Sequence, residues 1–220
     1  DGLVLCVDAA DYNSYVPTGT LWKDLTPNNS NGTLSGVSLP TYYSNKGGAI
    51  QINGSGSCVN FGNILNFTSE SFSFNQWSYF QTLSGHQGNQ QLFLKGGGFN
   101  SNGYSFTLST AGNLLFNTYQ AGAGQQTNIN NLVMTTGKWY NITLTRSGSS
   151  ARIYVNGVDR TITAGTHINP FLLGQYTALQ PAQFNLSGGS FATFSAYNKA
   201  LTPAEVLQNY NATKGRFNLI

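Results

Sequence analysis

Apolar and polar residues alternate with a period of two along most of this chain, which is the mark of half-buried β-strands rather than helices. In "YSFTLS" Tyr104, Phe106 and Leu108 fall on one face, with Ser105, Thr107 and Ser109 on the other. "LLFNTY" repeats the rhythm through Leu114, Phe116 and Thr118, and "TAGN" at 110–113 reads as a turn, so 104–119 is a predicted hairpin. A second hairpin follows. Tyr140, Ile142 and Leu144 alternate with Asn141, Thr143 and Thr145, "SGSS" turns the chain, and Ala151, Ile153 and Val155 face away from Arg152, Tyr154 and Asn156. Asn156-Gly157 then supplies the positive φ angles of a tight turn. Further strands are predicted at 2–8, 48–53, 57–61, 71–80, 91–95 and 190–198, and 26–48 reads as a polar connection with one weak strand.

One segment breaks the alternation. In "ALTPAEVLQNYNATKGR" Thr202 is a predicted N-cap, Pro203 the first helical residue and Glu205 the third, which together spell a capping box. Leu201 and Val206 sit where a hydrophobic staple would join them. A short helix is expected near 203–213, with Val206, Leu207 and Tyr210 toward the sheets and Gly215 ending it. Glu205 is therefore read as a capping residue and not as a catalyst.

Composition narrows what such a chain can do. Hydrophobic residues make up 40% of the 220 and aromatics 13%, enough for a packed core in one domain. Charged residues are only 8%, well below the roughly 25% of an average soluble domain, so amides and hydroxyls carry the surface. The ten Lys and Arg are scattered singly, which argues against nucleic acid as a partner. No apolar run is long enough for a membrane span. The first residue is Asp1 rather than Met, which suggests a processed or trimmed protein or part of a longer chain. Cys6 and Cys58 lie in apolar runs and could be a disulfide or two buried thiols.

Taken in order, the pieces resemble a concanavalin A-like lectin/glucanase jelly roll of the laminin G-like and pentraxin-like kind. "GLVLCVDAADYNSY" is similar to the opening strand, "WKDLTPNNSNGTL" to the loop after it and "GGAIQINGSGSCVNFG" to the next strand pair. "SFSFNQWSYF", "QLFLKGG" and "YSFTLSTAGNLLF" take the places of the strands that follow, and "GKWYNITLTRSGSSARIYVNG" resembles the most recognisable hairpin. "FATFSAYNKALTPAEVLQNYNATKGRF" looks like the closing strand and terminal helix. The resemblance implies an all-β fold, a two-sheet antiparallel jelly-roll sandwich with one short C-terminal helix, spanning 1–220 as a single domain. Its style is that of modules in bacteriophage virion proteins. Trp139 is expected to open the 139–155 hairpin as a core residue.

The family's hydrolases carry paired carboxylates, as glycoside hydrolysis requires. Here the seven acids are Asp1, Asp8, Asp11, Asp24, Glu70, Asp159 and Glu205, and no two glutamates share a strand. His86 and His167 both fall in turn-like stretches and read as solvated loop residues, and they make no zinc site with the two cysteines. Relatives bind calcium in loops at one end of the sandwich, but the Asp-rich stretch is replaced here by Asn53, Ser55, Ser57 and Asn60. Calcium held by Asp8 or Asp11 with backbone carbonyls stays open, and otherwise no cofactor is expected. Metal-free glycan binding would use exposed aromatics as stacking platforms with amide partners. The candidates are Trp22, Tyr42, Tyr43 and Tyr176, with Tyr12, Tyr15, Gln125 and Gln126 also in loops. Seven Asn-x-Ser/Thr sequons, at Asn28, Asn31, Asn53, Asn66, Asn141, Asn185 and Asn211, are unsurprising in so Asn- and Ser-rich a chain.

The expectation is a non-enzymatic structural or adhesion module displayed on a virion (capsid decoration, fibre or tail component) or on another extracellular assembly. Its partners would be copies of itself, a virion scaffold protein or cell-surface glycans. A free or enzyme-appended carbohydrate-binding lectin domain is the alternative.

Overall fold

The computed structural model describes residues 1–54, 56–83, 89–96, 103–120, 123–128, 132–162, 165–167, 182–185 and 187–219. His86 and Tyr176 lie outside the described residues, as do the side chains of Gln125 and Gln126. Among the described residues sixteen strands are formed, in the order β1 Leu3–Asp8, β2 Leu21–Trp22, β3 Gly32–Ser35, β4 Thr41–Tyr43, β5 Ala49–Asn53, β6 Cys58–Asn60, β7 Phe72–Phe80 and β8 Asn89–Gly96. They continue with β9 Gly103–Ser109, β10 Leu114–Gln120, β11 Ala123–Asn128, β12 Trp139–Ser147, β13 Ser150–Val155, β14 Val158–Asp159, β15 Ala182–Asn185 and β16 Ser187–Tyr197. All pairings are antiparallel.

Among the described residues the strands make two eight-stranded sheets. One runs β14-β13-β12-β7-β16-β5-β4, with β1 also on β16, and the other β11-β10-β9-β8-β15-β6-β3-β2. Long β16 serves two neighbours on one side, β5 along 187–191 and β1 along 193–197. The inward rows follow the predicted alternation. Phe72, Phe74 and Phe80 of β7 meet Phe93, Tyr104, Phe106 and Phe116 of the facing sheet in one buried cluster. Phe93 stacks on Phe194 across the sandwich at 5.4 Å, and Phe74 meets Phe93 at a tilt at 4.8 Å, ring geometries that add to area burial.

Both predicted hairpins form, with Leu114 opposite Leu108 and Ile142 opposite Val155. Asn156 and Gly157 take φ of 51° and 77°, and the Asn156 side chain accepts a hydrogen bond from the Asn141 N–H at 2.9 Å. The 26–48 connection carries two strands, β3 and β4, rather than one.

Trp139 does not enter the main core. Tyr140, Ile142 and Leu144 point inward, so pleating puts Trp139 on the outer face of the sheet. There it meets Phe217 at 4.9 Å, beside Trp77, which stacks on Phe217 at 3.9 Å. The C-terminal segment builds this second cluster: helix α1, Pro203–Thr213, and the 3-10 turn Lys214–Phe217. Gly215 does not end α1, since the helix tightens into the 3-10 turn and left-handed Asn218 closes it. Leu207 faces solvent at 45% exposure, so only Val206 is buried on α1.

The capping box is present in full. Thr202 Oγ1 accepts from the Glu205 N–H, and the Glu205 carboxylate accepts from the Thr202 N–H at 2.9 Å. Lys199, followed by the Thr202 donors, holds the Glu205 carboxyl down to about 2. Thr202→Ala is expected to lower stability by about 1 kcal/mol, read as a small shift of the urea midpoint with ligand binding unchanged.

Candidate functional site

The loops at the β1/β2/β3 end of the sandwich are organised around one carboxylate. Asp24 is 7% exposed. Its Oδ1 accepts the N–H groups of Cys6 and Thr26 at 2.9 and 3.0 Å, and its Oδ2 accepts the Thr26 hydroxyl and the Ser30 N–H at 2.7 and 3.0 Å. Its own N–H is taken by Asn31 Oδ1 at 2.8 Å. A buried carboxylate with this many donors is fully solvated by protein, and it fixes the 24–31 loop onto β1.

Over this knot lies an open groove of about 630 Å³, lined among others by Asn13, Lys23, Asp24, Thr26, Asn29 and Asn31. Three amides, a hydroxyl and one ammonium therefore surround a space the size of a small-molecule site. Asn13 is positioned by Asp11, whose Oδ1 accepts its N–H at 2.8 Å. Tyr12, the preceding residue, is 75% exposed. This is a surface that can exchange hydrogen bonds with hydroxyl-rich ligands.

The structure sorts the aromatic candidates. Trp22 is wholly buried, so it cannot be a stacking platform: β2 turns its indole into the core beneath the loops. Tyr15 is buried at 3% and stacks on half-buried Tyr42 at 5.7 Å, the pair bridging the edges of the two sheets. Tyr43 is half-exposed on edge strand β4, outside the groove lining. The groove residues Asn13, Lys23, Asn29 and Asn31 were not singled out by sequence, although the Asp-x-Thr step at 24–26 and the run "NNSN" are the local signal of such a loop.

The carboxylates serve structure. Asp8 pairs with Arg216 at 2.8 Å, Asp159 with Arg152 at 2.7 Å and Glu205 with Lys199 at 2.6 Å. Burial pushes the Glu70 carboxyl up, but N–H donation from Thr68 and its own backbone, with Arg146 nearby, outweighs this and holds it low. Asp8 and Asp11, the candidate calcium ligands, each have one oxygen engaged within the fold. Asp8 Oδ1 is held by Arg216 and the Ala10 N–H, and Asp11 Oδ1 by the Asn13 N–H. Among the described residues no group of three or more His, Cys, Asp or Glu side chains stands together to hold a metal ion.

His167 is not a solvated loop residue. It is 2% exposed, its Nδ1 lies 3.2 Å from Thr118 Oγ1, and its ring packs on Phe116 at 4.7 Å. Burial, reinforced by the Arg146 charge, lowers its pKa to about 4. Cys6 and Cys58 are free thiols on different sheets, and burial raises both pKa values, away from thiolate reactivity. No described helix is long and apolar enough to cross a membrane.

The two sheets, the loop-borne groove and the terminal helix define a lectin-like β-sandwich. The chain belongs to the concanavalin A-like lectin/glucanases superfamily, whose laminin G-type profile matches residues 53–207. No curated protein sequence matches it. Among solved structures it is similar to the binding domain of Paraclostridial Mosquitocidal Protein 1, with a TM-score of 0.69, 17% identity and coverage of 96% of this chain and 52% of that one. The receptor-binding domain of botulinum neurotoxin type G gives 0.65 and 15%, covering 96% and 51%. Trypanosoma rangeli sialidase gives 0.67 and 13%, covering 98% and 33%. The chain thus spans about half the length of the toxin domains and a third of the sialidase. At these identities the likeness carries the fold alone.

Proposed function

We propose that this chain is a non-enzymatic adhesion module that holds cell-surface glycans in the Lys23–Asn31 groove, displayed on a virion or another extracellular assembly. The observation that carries the reading is the groove itself: open, amide-lined and built on the Asp24 knot, with exposed Tyr12 next in the chain to its lining residue Asn13. Sugars present rows of hydroxyls, and amide side chains both donate to and accept from them. A rigid loop limits the ordering entropy of binding. Six of the seven carboxylates are engaged in the structural bonds described above, which suits binding without turnover. One botulinum neurotoxin of this fold depends for cell entry on two ganglioside molecules, and another was solved in complex with SialylT. Those ligands belong to those proteins, yet they show what company the fold keeps. Attachment to the assembly, by self-association or through a scaffold protein, is part of the same proposal.

A glycan array tests the binding half. The double variant Tyr12→Ala/Lys23→Ala is expected to bind at least tenfold more weakly than the parent with an unchanged melting temperature. A blank array for the parent refutes the reading. Electron microscopy of the native source tests the setting, which requires repeated copies on a particle surface. A lectin domain appended to an enzyme is the second reading, favoured by the likeness to one third of a sialidase.

A further inference from the structure

The 24–31 loop has two sides. Asn29 and Asn31 line the groove described above, whereas Asn28 and Ser30 line a second one of about 280 Å³ with Val4, Ile64, Leu65 and Asn66. The two spaces differ in chemistry. The first holds Lys23 and Asp24, while the second has no charged side chain in its lining and an apolar majority.

Both walls of the second groove are braced from beneath. The loop carrying Asn28 and Ser30 is tied to Asp24 through the Ser30 N–H and to β1 through Asn28 Nδ2, which donates to the Val4 carbonyl at 2.8 Å. On the facing loop Leu65 takes φ of +54°, a left-handed conformation that a leucine rarely adopts. The Tyr104 hydroxyl donates to the Leu65 carbonyl at 2.6 Å, and the Lys95 ammonium to Asn63 Oδ1 at 2.7 Å. Strain of this kind persists only where the surroundings over-determine it, and it gathers at ligand sites.

The polar groups left over are complementary. The bond from Asn28 Nδ2 to Val4 fixes that amide's orientation and leaves Oδ1 as an acceptor, and the Asn66 carboxamide makes no hydrogen bond among the described residues. One acceptor, one donor and an aliphatic wall from Val4, Ile64 and Leu65 match an acetamido group, which presents an N–H, a C=O and a methyl. A plain hydroxyl in the same place would leave the aliphatic wall wet and an amide unmatched. The volume lies below the roughly 300–1,000 Å³ of whole ligand sites, which suits one sugar unit.

We infer that the second groove is a subsite for the acetamido group of an N-acetylated sugar, while an adjoining unit of the same glycan occupies the Lys23 groove. The inference rests on the glycan-binding reading of that first groove.

The test is an array of oligosaccharides in matched pairs, gluco- and galacto-configured, that differ only in a 2-acetamido or a 2-hydroxyl group, followed by calorimetric titration of the best pair. The acetamido member should bind at least tenfold more tightly. Asn66→Ala, on an exposed loop, should abolish that preference and leave the 2-hydroxyl member's affinity and the melting temperature unchanged. Tyr12→Ala/Lys23→Ala should weaken both members alike. Binding of both members with equal affinity overturns the inference and leaves the glycan-binding reading standing. So does a preference that survives Asn66→Ala. Binding of no glycan at all overturns both.

Discussion

Lowering the pH from 7 to 4 should remove roughly 2–3 kcal/mol of folding stability through His167 alone. Its imidazole is buried against Phe116 and Thr118 with Arg146 near, and its pKa falls from 6.5 to about 4. In the unfolded chain the ring takes a proton below about 6.5, whereas in the folded chain it resists until about 4. Between those values the unfolded state binds more protons, so stability rises with pH across this window and is lost as pH falls through it. Below pH 4 both states are protonated and the loss is complete. The lowered carboxyls of Glu70 and Glu205 begin to cost stability as pH falls through their unfolded value of 4.5, and that of Asp159 through 3.8, so the stretch from about 6.5 down to 4.5 belongs to the histidine. His167→Gln keeps a polar partner for Thr118 but cannot titrate. Urea midpoints at pH 7.5, 6 and 4.5 should fall for the parent and stay nearly level for the variant. Parallel slopes for the two proteins would contradict the buried neutral ring.

Asp24→Ala is expected to have the other large effect, a loss of about 3–4 kcal/mol. The substitution leaves the N–H groups of Cys6, Thr26 and Ser30 without their acceptor at a largely buried position. Relaxation and entering water should recover part of the penalty. Asp24→Asn keeps one carbonyl oxygen and should cost about half as much. Because the same knot shapes the loop that lines both grooves, Asp24→Ala should also abolish glycan binding at a temperature where the domain is still folded. Denaturant titration and the array read the two effects separately. A loss below about 1 kcal/mol would show that the loop is held by something else.

The sandwich was legible in the sequence wherever the cause of structure is local. Alternation along 104–119 and 140–155 placed both hairpins, and the Thr202/Glu205 box placed the helix to the residue, because each depends on neighbours a few positions away. What covers a strand's outer face is not local. Trp139 was expected in the core, but its parity opposes that of Tyr140, and the residue that buries it, Phe217, comes nearly eighty positions later. Trp22 and Tyr15 looked like loop aromatics because β2 has only two residues and shows no period. The grooves were invisible for a related reason. The second needs Val4, the 24–31 loop and Leu65 to converge, which the pairing of β3 with β6 and of β1 with β16 brings about across distant stretches of chain.

Arg216 gives the fold a clock. Its guanidinium donates to the carbonyls of Lys46 and Gly48 at 2.6 Å each and to Asp8 Oδ1 at 2.8 Å, joining residues 208 positions apart. Strand β1 likewise takes its place against β16, the last strand made. Pairings so distant in sequence form slowly, so β1 reaches its place on β16 only after the strands between them have been made. Until that edge closes, β1 has its local bonds of Cys6 with Asp24 and Leu25, fewer than twenty positions away, to hold it in register.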